Sequence, residues 1–300
     1  MASPRIGFIG IGMMGHGMAK NLLAKGNPLS FLVHRDRSRL ADLAAAGAKE
    51  LKTPAELANA SDIVILCVSG SPQVEQNVFG DEGLLAAARS GLTVIDTSTS
   101  EPGSTAKIRE AFAAKGATFV DAPLARTPKE AEEGRLNTMV GADDATFERL
   151  KPVFAAYCEN IFHVGPPGAG HTLKLVNNFM AMTIIASIGE AFAVASKSGV
   201  KLDKLFEVVS QGALNSNIFQ MMAGGAIKGD FTRMKFSIAN AAKDMRYYTH
   251  LAESLPVATF VGEAVHQSFN QAVSLGLGER LLASMIEAQE KLNGMQIVKR

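Results

Sequence analysis

Short apolar runs alternate with longer segments of helical periodicity through the first half of the chain. Arg5–Ile9, Phe31–His34, Asp62–Val68, Thr93–Asp96 and Thr118–Val120 have strand length and composition, and Ala-, Leu- and Lys-rich stretches separate them. Strands divided by helices predict a parallel sheet covered on its faces by those helices. Thr138–Val140 and Ile161–Val164 add candidate strands at its edge. After Gly165-Pro166-Pro167-Gly168-Ala169-Gly170 the period-two pattern stops. From Leu173 onward helix follows helix, divided by Gly199, Gly212, Gly224-Gly225, Gly229 and Pro256 into five or six pieces. The fold class expected is α/β: a doubly wound parallel sheet over residues 1–165, an all-α domain over 166–300, and a long helix joining the two.

The first strand runs into Gly10-Ile11-Gly12-Met13-Met14-Gly15, and good helix formers follow from Met18. In this context the first glycine permits a tight turn, the second lets the backbone approach a pyrophosphate, and the third allows close helix–strand packing. The helix start supplies N–H groups and positive potential. The turn therefore predicts a Rossmann dinucleotide site that uses Gly10, Gly12, Met13, Met14 and Gly15. Cofactor type is decided after the second strand, where an acid holds a ribose 2′-hydroxyl and an arginine accepts a 2′-phosphate. His34 and Arg35 stand there, which favours NADP, while Asp36 keeps NAD open.

Composition removes several other classes. With 47% hydrophobic and 20% charged residues the chain has enough apolar material for two cores, and 30 basic against 29 acidic residues leave a net charge of +1. No global field draws it to nucleic acid or anionic lipid, so anion recognition has to be local. Cys67 and Cys158 lie far apart in apolar surroundings, and no His/Cys/carboxylate group has metal-ligand spacing, so neither a disulfide framework nor a metal is predicted. Ile6-Gly7-Phe8-Ile9 is too short for the apolar region of a signal peptide, and a reducing cytoplasm is the expectation. Val176–Ala195 is apolar, but Asn177, Asn178, Thr183, Ser187 and Glu190 interrupt it. That pattern predicts a buried helix and not a membrane span. The 13 methionines fall in helical patterns and read as core or interface filling; His16 and His171 lie where either could touch phosphate or substrate, but packing or solvent-facing roles are favoured.

Hydride transfer to an aldehyde needs an acid beside the carbonyl oxygen. Lys174 begins the long apolar helix, and Asn178, four residues on, projects from the same face. These residues do not stand alone. Gly7-Phe8-Ile9-Gly10-Ile11-Gly12-Met13-Met14-Gly15, Asp96-Thr97-Ser98-Thr99-Ser100-Glu101-Pro102, Asp121-Ala122-Pro123, Gly168 through Asn178, Lys243-Asp244 and Gly276-Leu277-Gly278 together resemble the β-hydroxyacid dehydrogenases, the 3-hydroxyisobutyrate dehydrogenase superfamily. The resemblance runs from end to end. It implies an oxidoreductase that moves a hydride between NAD(P) and a small anionic β-hydroxyacid or semialdehyde, with Lys174 as the proton-transferring residue and Asn178 orienting substrate. It further implies cofactor contacts from Val68, Ser69, Thr99, Lys243 and Asp244, and substrate contacts from Ser98, Pro123, Leu124, Ala125, Arg126, Thr127 and Lys243. A homodimer or homotetramer is implied as well. Retention of Lys174 weighs against the related imine reductases, which usually replace it.

One departure matters. Most members read Asp-Ala-Pro-Val-Ser-Gly-Gly where this chain reads Asp121-Ala122-Pro123-Leu124-Ala125-Arg126-Thr127, without the serine and both glycines that receive a substrate carboxylate. Arg126 offers a planar fork suited to a carboxylate or sulfonate; otherwise it pairs with Glu130, Glu132 or Glu133. Sulfolactaldehyde reductases, a branch of the superfamily, are similar here. That branch tends to use NADH, in tension with Arg35. The alternatives are an NADP(H)-binding sensor or scaffold without turnover, against which Lys174, Asn178 and Lys243 speak, and a reductase of imines or larger hydroxyacids.

Overall fold

The computed structural model describes residues 3–32 and 37–299, which fall into two compact units, residues 1–174 and 175–300. In the first, β1 (Ile6–Ile9), β4 (Ile63–Leu66) and β5 (Thr93–Asp96) are buried along their whole length, as strands covered on both faces must be. They join β2 (Leu29–Leu32), β3 (Lys49–Leu51) and β6 (Thr118–Asp121) in a parallel array of order β3-β2-β1-β4-β5-β6. β8 (Leu136–Gly141) continues the sheet antiparallel to β6, with β7 (Leu124–Ala125) and β9 (Cys158–Gly165) both paired to it. The expected edge strands are therefore present.

Successive residues of β4 feed opposite layers. Ile63 and Ile65 pack with Met18 and Leu22 of α1 (Gly15–Ala24), Leu43 of α2 (Ala41–Ala45) and Leu150 of α7 (Asp144–Phe154). Val64 and Leu66 pack with Leu57 of α3 (Pro54–Ala60), Val74 and Val78 of α4 (Ser71–Phe79), and Ile108 and Phe112 of α5 (Pro102–Ala113). This is the doubly wound arrangement. The strand order reverses between β1 and β4, the place beyond whose carboxyl ends such sheets receive ligands, and the glycine turn lies there.

Two short strands escape the pattern. β3 is exposed and reads Lys-Glu-Leu, and β7 has two residues. β2 begins at Leu29, earlier than Phe31, and residues 33–36 lie outside the described part.

The second unit contains most of α8 (Ala169–Lys197), then α9 (Leu202–Gln211), α10 (Asn217–Ala226), α11 (Ile238–Ser254), α12 (Phe260–Ala272) and α13 (Met285–Asn293). Gly199 and Gly212 follow helix ends as expected. Gly224 and Gly225 instead lie inside α10, because a Cβ there would meet the Phe206 ring at 3.1 Å and the Asp230 carbonyl oxygen at 2.6 Å. The pair marks close packing, not a break. Among the described residues α8 alone is long and apolar enough to cross a membrane. It buries Met182, Ile185, Ile188 and Phe192 in the core of the helical unit.

Candidate functional site

The glycine turn has the shape its sequence requires. Gly10 has φ +101°, and a Cβ on it would lie 2.1 Å from the Cys67 carbonyl oxygen. A Cβ on Gly15 would lie 2.0 Å from the Gly10 carbonyl oxygen. Gly12 differs, since a Cβ there would meet nothing within 4 Å. The backbone is thus open at the position meant to face a pyrophosphate. Met14 precedes α1 without a side-chain cap, and no acidic residue occupies its first turn. An open glycine backbone before an uncapped helix start fits a dinucleotide diphosphate.

His34 and Arg35 lie outside the described residues. Beside the turn, the Val68 N–H donates to Ser98 Oγ at 3.0 Å, which fastens the loop after β4 to the loop after β5. Ser98 is 3% exposed and its N–H donates to Asp96 Oδ1 at 2.8 Å. Its hydroxyl therefore braces the nucleotide loops besides standing in the predicted substrate set. Ser69, Thr99 and Pro123 belong to the same edge of the sheet by their places after β4, β5 and β6.

The start of α8 is docked on Asp121, the last residue of β6. Gly168 N–H donates to Asp121 Oδ1 at 2.7 Å and His171 N–H to Oδ2 at 3.0 Å. Gly170 approaches so closely that a Cβ would lie 2.4 Å from the Met139 carbonyl oxygen. Arg109 Nη1 holds the Pro167 carbonyl at 3.0 Å. Lys174 follows one turn later, partly exposed, on the same edge of the sheet as the glycine turn. Asp96, Asp121, His171 and Thr105 form the buried polar support of this edge. The sequence alone does not give His171 this role, because its partners, Thr105 and Asp96, are 66 and 75 residues away in the chain.

The helical unit holds its own cluster. Asn178 Nδ2 donates to Asp244 Oδ2 at 2.6 Å, both side chains being buried. Lys243 Nζ lies 3.0 Å from Asp244 Oδ1 as an ion pair and 5.2 Å from the centre of the Tyr247 ring. The predicted Asn178, Lys243 and Asp244 thus come together, and Tyr247, one helical turn on, joins them. The carboxylate fixes which way the Asn178 amide points.

In the altered loop the ion pair expected with Glu130, Glu132 or Glu133 is replaced by another. Arg126 Nη1 donates to the Arg135 carbonyl and to Glu159 on β9, not to Glu130, Glu132 or Glu133. Both bonds use one terminal nitrogen. Arg126 also has φ +83°, a left-handed conformation that favours glycine. Thr127 caps α6 (Pro128–Glu132): its N–H and hydroxyl donate to Glu130, and the Glu130 N–H returns the bond. Leu124 is buried in the core and Ala125 pairs with Asn137 across the sheet, so β7 contributes frame more than contact surface.

Comparison with known proteins places the chain in a family. Residues 5–165 match the NAD binding domain of 6-phosphogluconate dehydrogenase, and residues 168–288 match the NAD-binding family of NADP-dependent 3-hydroxyisobutyrate dehydrogenase. The chain is 32% identical over 296 residues to 2-(hydroxymethyl)glutarate dehydrogenase of Eubacterium barkeri, covering 98% of each chain. It is 32% identical over 287 residues to 2-hydroxy-3-oxopropionate reductase of Escherichia coli K12, covering 95% of this chain and 97% of the relative. The crystal structure of 3-hydroxyisobutyrate dehydrogenase from Salmonella typhimurium superposes with a TM-score of 0.82 at 28% identity, covering 94% of this chain and 99% of that one. With such matches spanning nearly all of both chains, this protein belongs to the 3-hydroxyisobutyrate dehydrogenase-like β-hydroxyacid dehydrogenases, NAD(P)-dependent oxidoreductases acting on CH–OH groups.

Proposed function

We propose that the protein interconverts a small anionic semialdehyde and its β-hydroxyacid, with Lys174 as the proton-transferring residue. The observation that carries this reading is the docking of the first turn of α8 on Asp121, at the edge of the sheet that also bears the open glycine turn. Gly10, Gly12, Gly15 and the start of α1 would hold the diphosphate, with Val68, Ser69 and Thr99 beside it. Nicotinamide, when bound, supplies or accepts the hydride. Lys174 donates a proton to the carbonyl oxygen during reduction and takes it back during oxidation. Asn178, its amide orientation fixed by Asp244, offers a directed polar group to the substrate. NADP is the cofactor we favour, on Arg35.

For the substrate, candidates are succinic, methylmalonic and tartronic semialdehydes and sulfolactaldehyde. Arg126 is the proposed anion receiver, and its bonds through Nη1 leave the Nε–Nη2 edge of the fork to meet a carboxylate or sulfonate. The protein is further proposed to form a homo-oligomer through α8, whose Met180, Ile184 and Val194 are 61%, 37% and 66% exposed along one face. Cytoplasmic residence belongs to the same proposal, with Cys67 and Cys158 as free thiols.

The test is oxidation of NADPH and NADH against a panel of anionic semialdehydes. Lys174→Ala should lower kcat by about two to four orders of magnitude, the usual worth of a positioned acid. Arg126→Ala should raise KM for the best substrate by roughly one to two orders, as for loss of a charged hydrogen bond. Cofactor binding with no turnover on any substrate would favour a sensor, and NADH preferred over NADPH would reverse the cofactor assignment.

A further inference from the structure

His171 has no part in the chemistry above, yet it is fully buried in the turn that leads to Lys174. Its imidazole faces two elements of the nucleotide unit. Nδ1 lies 2.7 Å from Thr105 Oγ1 on α5, and Nε2 lies 3.6 Å from Asp96 Oδ2 at the end of β5. Nε2 is sealed from solvent without a hydrogen-bond partner. Such an atom is costly to bury unless something nearby can satisfy it. Asp96 stands opposite, and its other contacts go to the turn that follows it: Ser98 N–H to Oδ1 and Ser100 Oγ to Oδ2, each at 2.8 Å. Thr99 lies between those two residues. One imidazole therefore separates the Ser98–Ser100 turn from the first turn of α8.

Proton placement constrains what the ring does. Thr105 Oγ1 is 3.1 Å from the Glu101 carbonyl and donates to it when the ring carries hydrogen on Nδ1. In that state only a doubly protonated ring presents an N–H to Asp96. If the Thr105 hydroxyl turns to donate to Nδ1, a neutral ring carries its proton on Nε2 and again offers N–H to Asp96. With a proton on Nε2, closing the 3.6 Å gap by roughly half an ångström completes a charge-assisted bond.

The two N–H bonds to Asp121 fix the backbone of the first turn of α8. The His171 side chain adds a tie of its own from that turn to α5 and towards the end of β5. We propose that His171 is a positioning residue: it couples the Ser98–Ser100 turn to the start of α8 and thereby sets where the Lys174 ammonium sits. The inference rests on Lys174 being the proton donor proposed above.

Three variants test it. His171→Gln keeps an amide that reaches towards Asp96, His171→Asn is too short for that reach, and Thr105→Val removes the partner on α5 without altering α8. With the best semialdehyde, His171→Asn should lower kcat about tenfold to a hundredfold, the scale of a misplaced reacting group. KM and cofactor Kd should stay within about threefold, and His171→Gln should recover most of the loss. Thr105→Val should show the same signature more weakly, and it decides the matter if the His171 variants do not fold. Full kcat in folded His171→Asn, or equal losses in Asn and Gln variants, overturns the positioning role; so does a kcat unchanged by Thr105→Val when the others cannot be folded. Lys174→Ala in the same assay separates the two failures. Surviving turnover there removes Lys174 as donor, whereas an inactive Lys174→Ala beside a fast His171→Asn overturns the coupling alone.

Discussion

Gly10 and Gly12 stand two residues apart, and a methyl group added to each meets opposite surroundings. At Gly10 it would collide with the Cys67 carbonyl on a backbone of positive φ; at Gly12 it would project into open space. Gly10→Ala should therefore destabilise the protein by at least about 1–3 kcal/mol before any ligand is added. Gly12→Ala should leave the thermal midpoint of the ligand-free protein unchanged and weaken NAD(P)H binding about tenfold or more. Differential scanning fluorimetry with fluorescence titration checks both, and unweakened binding by folded Gly12→Ala would remove the diphosphate from this turn. The different duties of these glycines were legible in the sequence because the motif sits between a strand and a helix. The partners of Arg126 and His171 were not. Glu159 and Asp96 reach them only through the pairing of β9 with β8 and the docking of α8, and no local spacing encodes such neighbours.

At the level of elements, three short helices of the nucleotide unit are tied by one imidazole. His16 on α1 lies 3.0 Å from Asp42 on α2 and 2.6 Å from Glu132 on α6, with Lys20 also 3.4 Å from Glu132. Burial works against the charged ring, but hydrogen bonds to Glu132 and Asp42 outweigh it, so the His16 pKa is raised. Burial likewise opposes ionisation of Asp42 and Glu132, and His16 overcomes it, lowering both. The ring's contribution to stability is complete below its ordinary pKa of about 6.5 and is lost as pH rises through the raised folded value. The carboxylates contribute above their ordinary range of about 4 and lose that contribution on acidification. Between pH 6 and 8 the thermal midpoint should thus fall more steeply in the parent than in His16→Gln; parallel slopes would dismiss the tie. Strands with unbroken apolar runs were readable in advance, since burial on both faces writes itself as such a run. β3 was not, because an exposed edge strand such as Lys49–Leu51 needs no apolar face. Gly224-Gly225 misled for a related reason: glycine also marks places where a helix is closely approached.

For the molecule as a whole, each unit has its own apolar core, and the net charge of +1 gives little long-range repulsion to oppose self-association. If α8 supplies the contact between copies, Met180→Glu with Val194→Glu should lower the mass found by light scattering to that of a single chain of 31.7 kDa while the helical content persists. An unchanged mass would send the interface elsewhere. Across the described residues two non-glycine positions have positive φ, Pro256 at 20° and Arg126 at 83°. A guanidinium thus sits on a bend whose φ favours glycine. If Arg126 receives the substrate's anion as proposed, recognition at this rim is exchangeable by a single codon: mutation to glycine would relax the peptide and erase the charge together. A lineage could pass between differently charged substrates without rebuilding the sheet beneath them.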